Sequence, residues 1–301
     1  MKKKLSSYLF KVTVLLSTTF SNAAFAQFKT PEIEELRQGK EYNNTQRQTF
    51  PDFTYQMANH PDLETIKEKY HLEAIAGNGS DVERAKRLLK WFHDEVPHND
   101  APNIDTLNAI SIIDSYRSSK KAHGCYPLSI AMNEVFLSMG FQSRTVICFS
   151  GRYPSPEGGH VINSVYIPSL EKWIYMDPQD NAYVTDEHDN LLSIAEVRQR
   201  LIDDKPLKLN ADANYHGKAD DIKDYLYTFM AKNLFRIICP LNSEFSSQTR
   251  TKGKLMQYVE LLPVGSKAPV VDGFETNVNP KTGVQVITYH TNNEQLFWKK
   301  P

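Results

Sequence analysis

The chain has 301 residues, of which 40% are hydrophobic, 11% aromatic and 24% charged. It is therefore long enough to bury a core and too apolar for wholesale disorder. Its 35 basic residues nearly balance its 36 acidic ones, which argues against a nucleic-acid binder whose affinity depends on neutralising many phosphates.

The first 26 residues have the pattern of an export signal. A basic start at 2–4 precedes a short apolar run at 12–16, and 24–26 read Ala-Phe-Ala, a pattern typical of signal cleavage. The apolar run is shorter than the about 20 residues that cross a bilayer. We therefore expect a signal peptide at 1–26 and an exported product, periplasmic or secreted, with no membrane span after cleavage.

Helices are predicted next along the chain. Residues 27–80 are polar and rich in turn residues, which predicts a loop-rich segment with one or two helices. From Asp81 apolar residues recur at helical spacing, with Ser80 as a candidate N-cap. Further helices are predicted at 107–116 and from Cys125 to the Gly140 stop, which places Cys125 just before the first turn of its helix.

Strands follow the cysteine helix, so the predicted order is a helix and then antiparallel strands. The whole chain divides into a signal peptide at 1–26, an N-terminal segment at 27–80, a core at 81–245 and a C-terminal β extension at 246–301. The remaining predicted elements are strands at 143–149, 160–167 and 172–177, helices at 194–201 and 223–234, and a strand-like tail at 256–298 with a hairpin turn at 279–283.

Cys125 is the candidate nucleophile. Unpaired backbone N–H groups and the helix dipole favour a thiolate at a helix N-terminus. The chain has three cysteines, so in an exported protein at least one is unpaired within the chain. Cys148 lies in an apolar, strand-like run that suits an inert buried thiol, and a bridge between Cys148 and Cys239 is left open.

A nucleophilic cysteine needs a base and a group that orients the base, and His160 and Asp177 fit these roles. If Ile167 pairs with Lys172 across the four-residue turn, Asp177 lies opposite Ile162 and on the face of His160. Diagonal neighbours on one face are about 7 Å apart, within reach of a carboxylate and an imidazole. The prediction depends on this register, because a slip of one residue would separate the two side chains.

These residues resemble the transglutaminase-like superfamily, in particular an exported bacterial branch. The resemblance covers roughly 80–185 and rests on the runs Gly-Cys at 124–125, Gly-Phe-Gln-Ser-Arg at 140–144, Gly-His-Val-Ile-Asn at 159–163 and Trp-Ile-Tyr-Met-Asp-Pro at 173–178. It implies an α+β fold with a papain-like core, in which the cysteine helix packs on an antiparallel sheet, flanked here by N- and C-terminal extensions. It also implies that Cys125 is the nucleophile, His160 the base and Asp177 the orienting group.

The resemblance further implies acyl transfer on an amide through a thioester intermediate. Many relatives place an aromatic oxyanion residue where this chain has His98, whose imidazole N–H could act with the backbone N–H of Cys125; a polar loop histidine is the alternative. Trp173 and Tyr175 could wall the cleft, and Arg144 could contact substrate carboxylates or serve in packing. No cofactor motif occurs in the sequence, and the cluster of His93, His98, His123 and Cys125 matches no zinc spacing, so no metal is expected.

Three functions follow from this resemblance. Water as the acceptor of the thioester gives a peptidase or amidase, for which the expected substrate is a peptide or protein, such as a cell-wall peptide. An amine acceptor gives a crosslinking transglutaminase. The third alternative is a non-catalytic binding module at the cell surface, which would keep the fold without the chemistry.

Overall fold

The structure is a computed structural model that describes residues 28–100, 104–153, 158–266 and 273–301. The predicted signal peptide at 1–26 and its cleavage site lie outside these residues. Within the described ranges, no helix is both long enough and apolar enough to cross a membrane.

Helices precede, interrupt and follow the strands. The cysteine helix is nearly all buried, whereas the helix before it in the chain buries only one stripe. The helices are α1 (Pro31–Gln38), α2 (Pro61–Lys69), α3 (Leu72–Ala76), α4 (Asp81–Glu95), α5 (Ala109–Ser119), α6 (Cys125–Ser138), α7 (Ile194–Ile202), a π-helix (Lys223–Met230), α8 (Ala231–Asn233) and α9 (Glu294–Phe297), with a 3₁₀ turn at Pro168–Leu170.

The strands are β1 (Thr54–Tyr55), β2 (Ser143–Phe149), β3 (Gly159–Ile167), β4 (Lys172–Met176), β5 (Val184–Thr185), β6 (Lys208–Leu209), β7 (Asn214–Tyr215), β8 (Lys218–Ala219), β9 (Arg236–Pro240), β10 (Asn242–Ser243), β11 (Leu255–Leu261), β12 (Phe274–Val278) and β13 (Gln285–Thr291). Seven of them form the principal sheet, in the order β12-β13-β11-β9-β2-β3-β4. All neighbouring pairs in this sheet are antiparallel except β11 and β13, which are parallel.

The sheet separates two apolar cores because successive strand residues point to opposite faces. On β3, Ile162 packs into a core built with α1, α7 and the π-helix, whereas Val165 packs into a core built with α2 to α6. The chain is therefore an α+β protein with helices on both faces of its main sheet, and the predicted fold class is confirmed.

The elements that carry the candidate site match the sequence expectations closely. Ser80 caps α4 in a reciprocal pair with Glu83. The expected pairing of Ile167 with Lys172 is present, and the ladder continues in the same register to Asn163 and Met176. The register that the site prediction required is therefore confirmed.

The C-terminal tail joins the sheet and forms no separate body of strands. β12 and β13 form the expected hairpin, and β11 pairs with β9, which itself pairs with β2. The sheet is thus continuous across the predicted boundary at 245/246. The division of the chain into 27–80, 81–245 and 246–301 stays a prediction.

Candidate active site

Cys125 is the first residue of α6, directly after the N-cap Gly124. Its side chain is half-buried, whereas Cys148 and Cys239 are buried, and all three thiols are free. The first N–H groups of a helix have no partner within the helix. The Cys125 sulfur therefore lies at the positive end of a 14-residue helix dipole.

His160 and Asp177 form a buried ion pair at the end of the β3–β4 ladder. The His160 Nε2 atom donates to Asp177 Oδ2 over 2.6 Å, and the two side chains are 1% and 0% exposed. The His160 ring also interacts with the Cys125 side chain. Because Nε2 is engaged by the carboxylate, Nδ1 is the ring nitrogen that is free for the thiol.

Two further donors hold the Asp177 carboxylate. The backbone N–H of Gln179 donates to Oδ1 over 2.9 Å, and the hydroxyl of Tyr225 donates to Oδ2 over 2.7 Å. Tyr175 lies 2.6 Å from the Tyr225 hydroxyl, and it donates to that oxygen because the Tyr225 proton is already given to Asp177. This chain of hydroxyls helps to hold the carboxylate in place beside His160.

The electrostatics favour charged forms of both members of the pair. Burial alone would lower the pKa of His160, but the charge and hydrogen bond of Asp177, aided by Cys125, raise it well above its usual value. Burial opposes ionisation of Asp177 as well, yet His160 and Tyr225 hold the pKa of that carboxyl below its usual value. An imidazolium beside Cys125 would stabilise a thiolate.

His98, the predicted oxyanion residue, lines the same cavity as Cys125. A backbone bridge joins His98 to His123, two residues before Cys125. The Tyr215 hydroxyl lies 2.9 Å from His98 Nδ1. Burial lowers the pKa of His98, which favours the neutral ring. In the tautomer that accepts from Tyr215, the N–H is on Nε2; an oxyanion role for His98 stays a prediction.

The cavity that contains Cys125 and His160 has a volume of about 640 Å³. Burial and the charge of Asp177 raise the pKa of Asp180 to about 9 and that of Asp220 to about 6. Acidic side chains outnumber lysines in the lining, so we call this cavity the acidic cavity. The charged residues of the lining include Asp100, Asp180, Asp220, Asp221, Asp224 and Lys218.

A second cavity, of about 430 Å³, meets the first at Cys125 and Gly159. It lies on the opposite face of the sheet from His160, because Ile147 and Val161 pair with each other on that face and line this second cavity. Its lining is largely aromatic and aliphatic, so we call it the apolar cavity. The lining residues include Tyr126, Ile147, Phe149, Tyr153, Val161, Ile238 and Tyr258, with Thr288 and Arg250.

Arg144 does not line either cavity at Cys125, and its predicted contact with substrate is wrong. Its side chain is 1% exposed and donates to Phe297 O over 2.6 Å and to the Tyr55 hydroxyl over 2.6 Å. Its guanidinium stacks 3.8 Å from the Phe53 ring centroid and 4.4 Å from that of Trp173. Arg144 therefore packs the C-terminal segment onto the sheet, which was the alternative reading of this residue.

Trp173 and Tyr175 do not line the cleft either. Trp173 lies toward the far end of β4, where its ring N–H donates to Lys299 O over 3.2 Å. Tyr175 is fully buried behind Asp177 and reaches the site only through Tyr225. The alternation of strand residues correctly grouped these side chains on one face, but that face is covered by packed residues.

One group of described residues could hold a metal ion. His160, Asp177 and Asp180 place potential ligand atoms within 4.8 Å of one another. The same Asp177 oxygens, however, already accept hydrogen bonds from His160, Tyr225 and Gln179. These hydrogen bonds account for the close approach of His160 to Asp177.

The sequence did not single out two residues that contact the triad. Tyr225 donates to Asp177, and the Phe229 ring lies 4.9 Å from the His160 ring between centroids. Both belong to the π-helix Lys223–Met230. A helix was expected there, but the wider π turn changes which side chains share a face, and π-helical turns often occur at functional sites. The tyrosine itself carried no signal in the sequence.

Comparison with known proteins identifies the domain. The model of the transglutaminase-like superfamily matches residues 68–178, a range that contains Cys125, His160 and Asp177. A search of curated proteins gives no match. A solved structure described as "a Putative Cysteine Protease from Cytophaga hutchinsonii" is 13% identical, with a TM-score of 0.32. The alignment covers 58% of this chain and 56% of that one, so this chain spans just over half of its length. The family match alone places a transglutaminase-like superfamily domain at residues 68–178 of the chain.

Proposed function

We propose that the protein is a cysteine-dependent amide hydrolase. The observation that carries the proposal is the placement of Cys125 at a helix N-terminus, in one cavity with a His160 that is hydrogen-bonded to Asp177. These three groups supply a nucleophile, a proton carrier and an orienting anion.

The reaction runs in two steps. The Cys125 thiolate attacks the amide carbonyl, and the backbone N–H of Cys125 with His98 stabilises the oxyanion. His160 then protonates the leaving nitrogen, the C–N bond breaks and a thioester remains. Water, deprotonated by His160, attacks the thioester, which releases the acid and restores the thiolate.

The substrate class is a peptide or protein amide. The cavity beside Cys125 and His160 is open and about 640 Å³ in volume, which suits a peptide segment. The signal-like residues 1–26 support an exported protein, so the proposed site of action is the periplasm or the exterior, and a cell-wall peptide is one candidate substrate.

The first test is the pH dependence of thiol alkylation, read by mass spectrometry at each cysteine. Cys148 and Cys239 are internal controls, because burial raises the pKa of Cys239 to about 12 and that of Cys148 well above its usual value. We expect Cys125 to react with iodoacetamide below pH 7 and about 10-fold or more faster than in a His160→Ala variant.

A matched control variant is His93→Ala, because His93 is a partly buried histidine that contacts Pro178 O and the side chain of Asn214. It should leave the reactivity of Cys125 within about threefold of the parent. If Cys125 reacts no faster than the two buried cysteines, or no more slowly without His160, the hydrolase proposal is wrong. A non-catalytic binding role would then be favoured.

A further inference from the structure

The second cavity at Cys125 has a wall that the family match does not include. Residues 68–178 supply its floor through β2 and β3, but Ile238, Tyr258 and Thr288 come from β9, β11 and β13. The C-terminal strands therefore bring an apolar surface to the side of the nucleophile.

The walls of this cavity are held in place by buried polar contacts. The hydroxyls of Tyr126 and Tyr258 both donate to Gln248 Oε1, over 2.9 and 2.6 Å. Gln248 itself is 4% exposed. A surface that is fixed in this way loses little side-chain entropy when a ligand binds.

The opposite wall is held from the sheet. The Phe149 and Tyr153 rings stack with centroids 3.9 Å apart. Arg236, which is itself bound by Glu260 over 2.6 Å, donates to Tyr153 O over 3.1 Å. The stacked pair thus presents an aromatic face to the cavity.

The position of His160 decides which part of a substrate enters each cavity. His160 must reach the amide nitrogen to protonate it, and it lines only the acidic cavity. The nitrogen side of the scissile bond therefore points into the acidic cavity. The acyl part of the substrate must extend from Cys125 in the other direction, past Gly159 and toward the apolar cavity.

We propose that the apolar cavity binds the side chain of the residue on the acyl side of the scissile amide, and that this side chain is aromatic or large and aliphatic. Thr288 and Ile238 are then specificity-determining residues. The inference rests on the proposed amide hydrolase and adds to it a substrate preference set by strands outside the family match.

The test compares two chloromethyl ketones, acetyl-Phe and acetyl-Ala, as alkylating probes of Cys125. The thiolate attacks the chloromethyl carbon, a C–S bond forms and chloride leaves, so the residue next to the ketone occupies the acyl side. Rates are measured by mass spectrometry at Cys125 and divided by the iodoacetamide rate of the same protein. We expect the phenylalanine probe to react about 10-fold or more faster than the alanine probe.

Two variants locate this preference. Thr288→Trp fills the cavity and Ile238→Glu places a charge in it, so each should reduce the ratio of the two probe rates to below about 3. The matched control is Val278→Trp, which adds the same bulk on β12, where Val278 is 49% exposed. This control should keep the parent ratio.

The outcomes separate this inference from the proposed function. If Cys125 reacts selectively with iodoacetamide but does not discriminate between the two ketones, the inference is overturned and the hydrolase stands. The same conclusion follows if Thr288→Trp and Ile238→Glu both keep the parent ratio. If Cys125 is not selectively alkylated by any reagent, the hydrolase proposal and this inference both fail.

Discussion

Tyr225 lines the cavity at Cys125 and also supports the candidate site through Asp177. Its hydroxyl donates to Asp177 Oδ2, the oxygen that also accepts from His160. This hydrogen bond helps to keep the pKa of Asp177 low, and Asp177 in turn raises the pKa of His160. Tyr225 is thus a positioning residue for the imidazolium.

We predict that Tyr225→Phe will slow alkylation of Cys125 at neutral pH by on the order of 10-fold, since a hydrogen bond to a charged group is lost. The pH at which Cys125 becomes reactive should also move upward, because a less firmly held Asp177 stabilises the imidazolium less. Tyr227→Phe, on the same π-helix, is the control for a purely structural effect. An unchanged pH profile would contradict the assigned role.

At the scale of elements, the hairpin of β3 and β4 shows what local sequence rules can predict. The turn length set the pairing of Ile167 with Lys172, and strand alternation then placed His160 and Asp177 on one face. The N-terminal position of Cys125 on α6 followed from the Gly-Cys sequence before an apolar helix. Each of these features depends on neighbours that are close in sequence.

The features that escaped prediction depend on distant partners. Arg144 lies in a strand next to the cysteine helix, but its role is set by Phe297, 153 residues away. Tyr225 meets Asp177 across 48 residues and a π-helical turn. Periodicity reports which face of an element is apolar, and it does not report which other element covers that face.

Helix α6 also carries a buried carboxyl that links its stability to pH. Glu134 is 1% exposed and accepts from the backbone N–H groups of Ala109 and Ser246 over 2.7 and 2.8 Å. Burial raises its pKa to about 8, although these hydrogen bonds oppose the shift. The folded protein therefore binds this proton more tightly than the unfolded chain does.

The sign of the effect follows from linkage. In the unfolded chain Glu134 loses its proton near its usual pKa, so its contribution to the free energy of unfolding falls as the pH rises from about 4.5 to about 8. Glu134→Gln removes this titration. The test is urea unfolding of Glu134→Gln and the parent at pH 5 and pH 9. We predict that the free energy of unfolding of the variant, minus that of the parent, will be larger at pH 9 than at pH 5 by up to about a few kcal/mol.

The exposed Glu68 on α2 offers a control for this measurement. A Glu68→Gln variant should follow the parent at both pH values. If the gap between Glu134→Gln and the parent does not change with pH, the carboxyl of Glu134 is not the source of the dependence.

At the scale of the whole molecule, a buried cation, Arg144, helps to fasten the C-terminal segment to the sheet. Arg144 donates to Phe297 O and Tyr55 Oη, and it stacks on Phe53 and Trp173. Loss of the guanidinium would leave the Phe297 carbonyl without this donor, and it would leave a gap between the Phe53 and Trp173 rings. Such a loss costs more than a surface contact does.

We predict that Arg144→Met will lower the free energy of unfolding by about 3 kcal/mol. The selective alkylation of Cys125 should persist in the folded variant, because Arg144 lines neither cavity at the nucleophile. Arg84→Met, on the surface of α4, should cost about 1 kcal/mol or less. An equal effect of the two substitutions on stability would contradict the fastening role of Arg144.

The meeting of two cavities at Cys125 has a consequence for divergence among proteins that share this domain. The three residues of the triad lie within 68–178, whereas Tyr225, Tyr258 and Thr288 lie outside that range. If the proposed hydrolase is correct, substitutions on the later strands would alter which amides are accepted without touching the nucleophile. Proteins that share residues 68–178 would then keep the same three candidate catalytic residues and differ in the peptides that they bind.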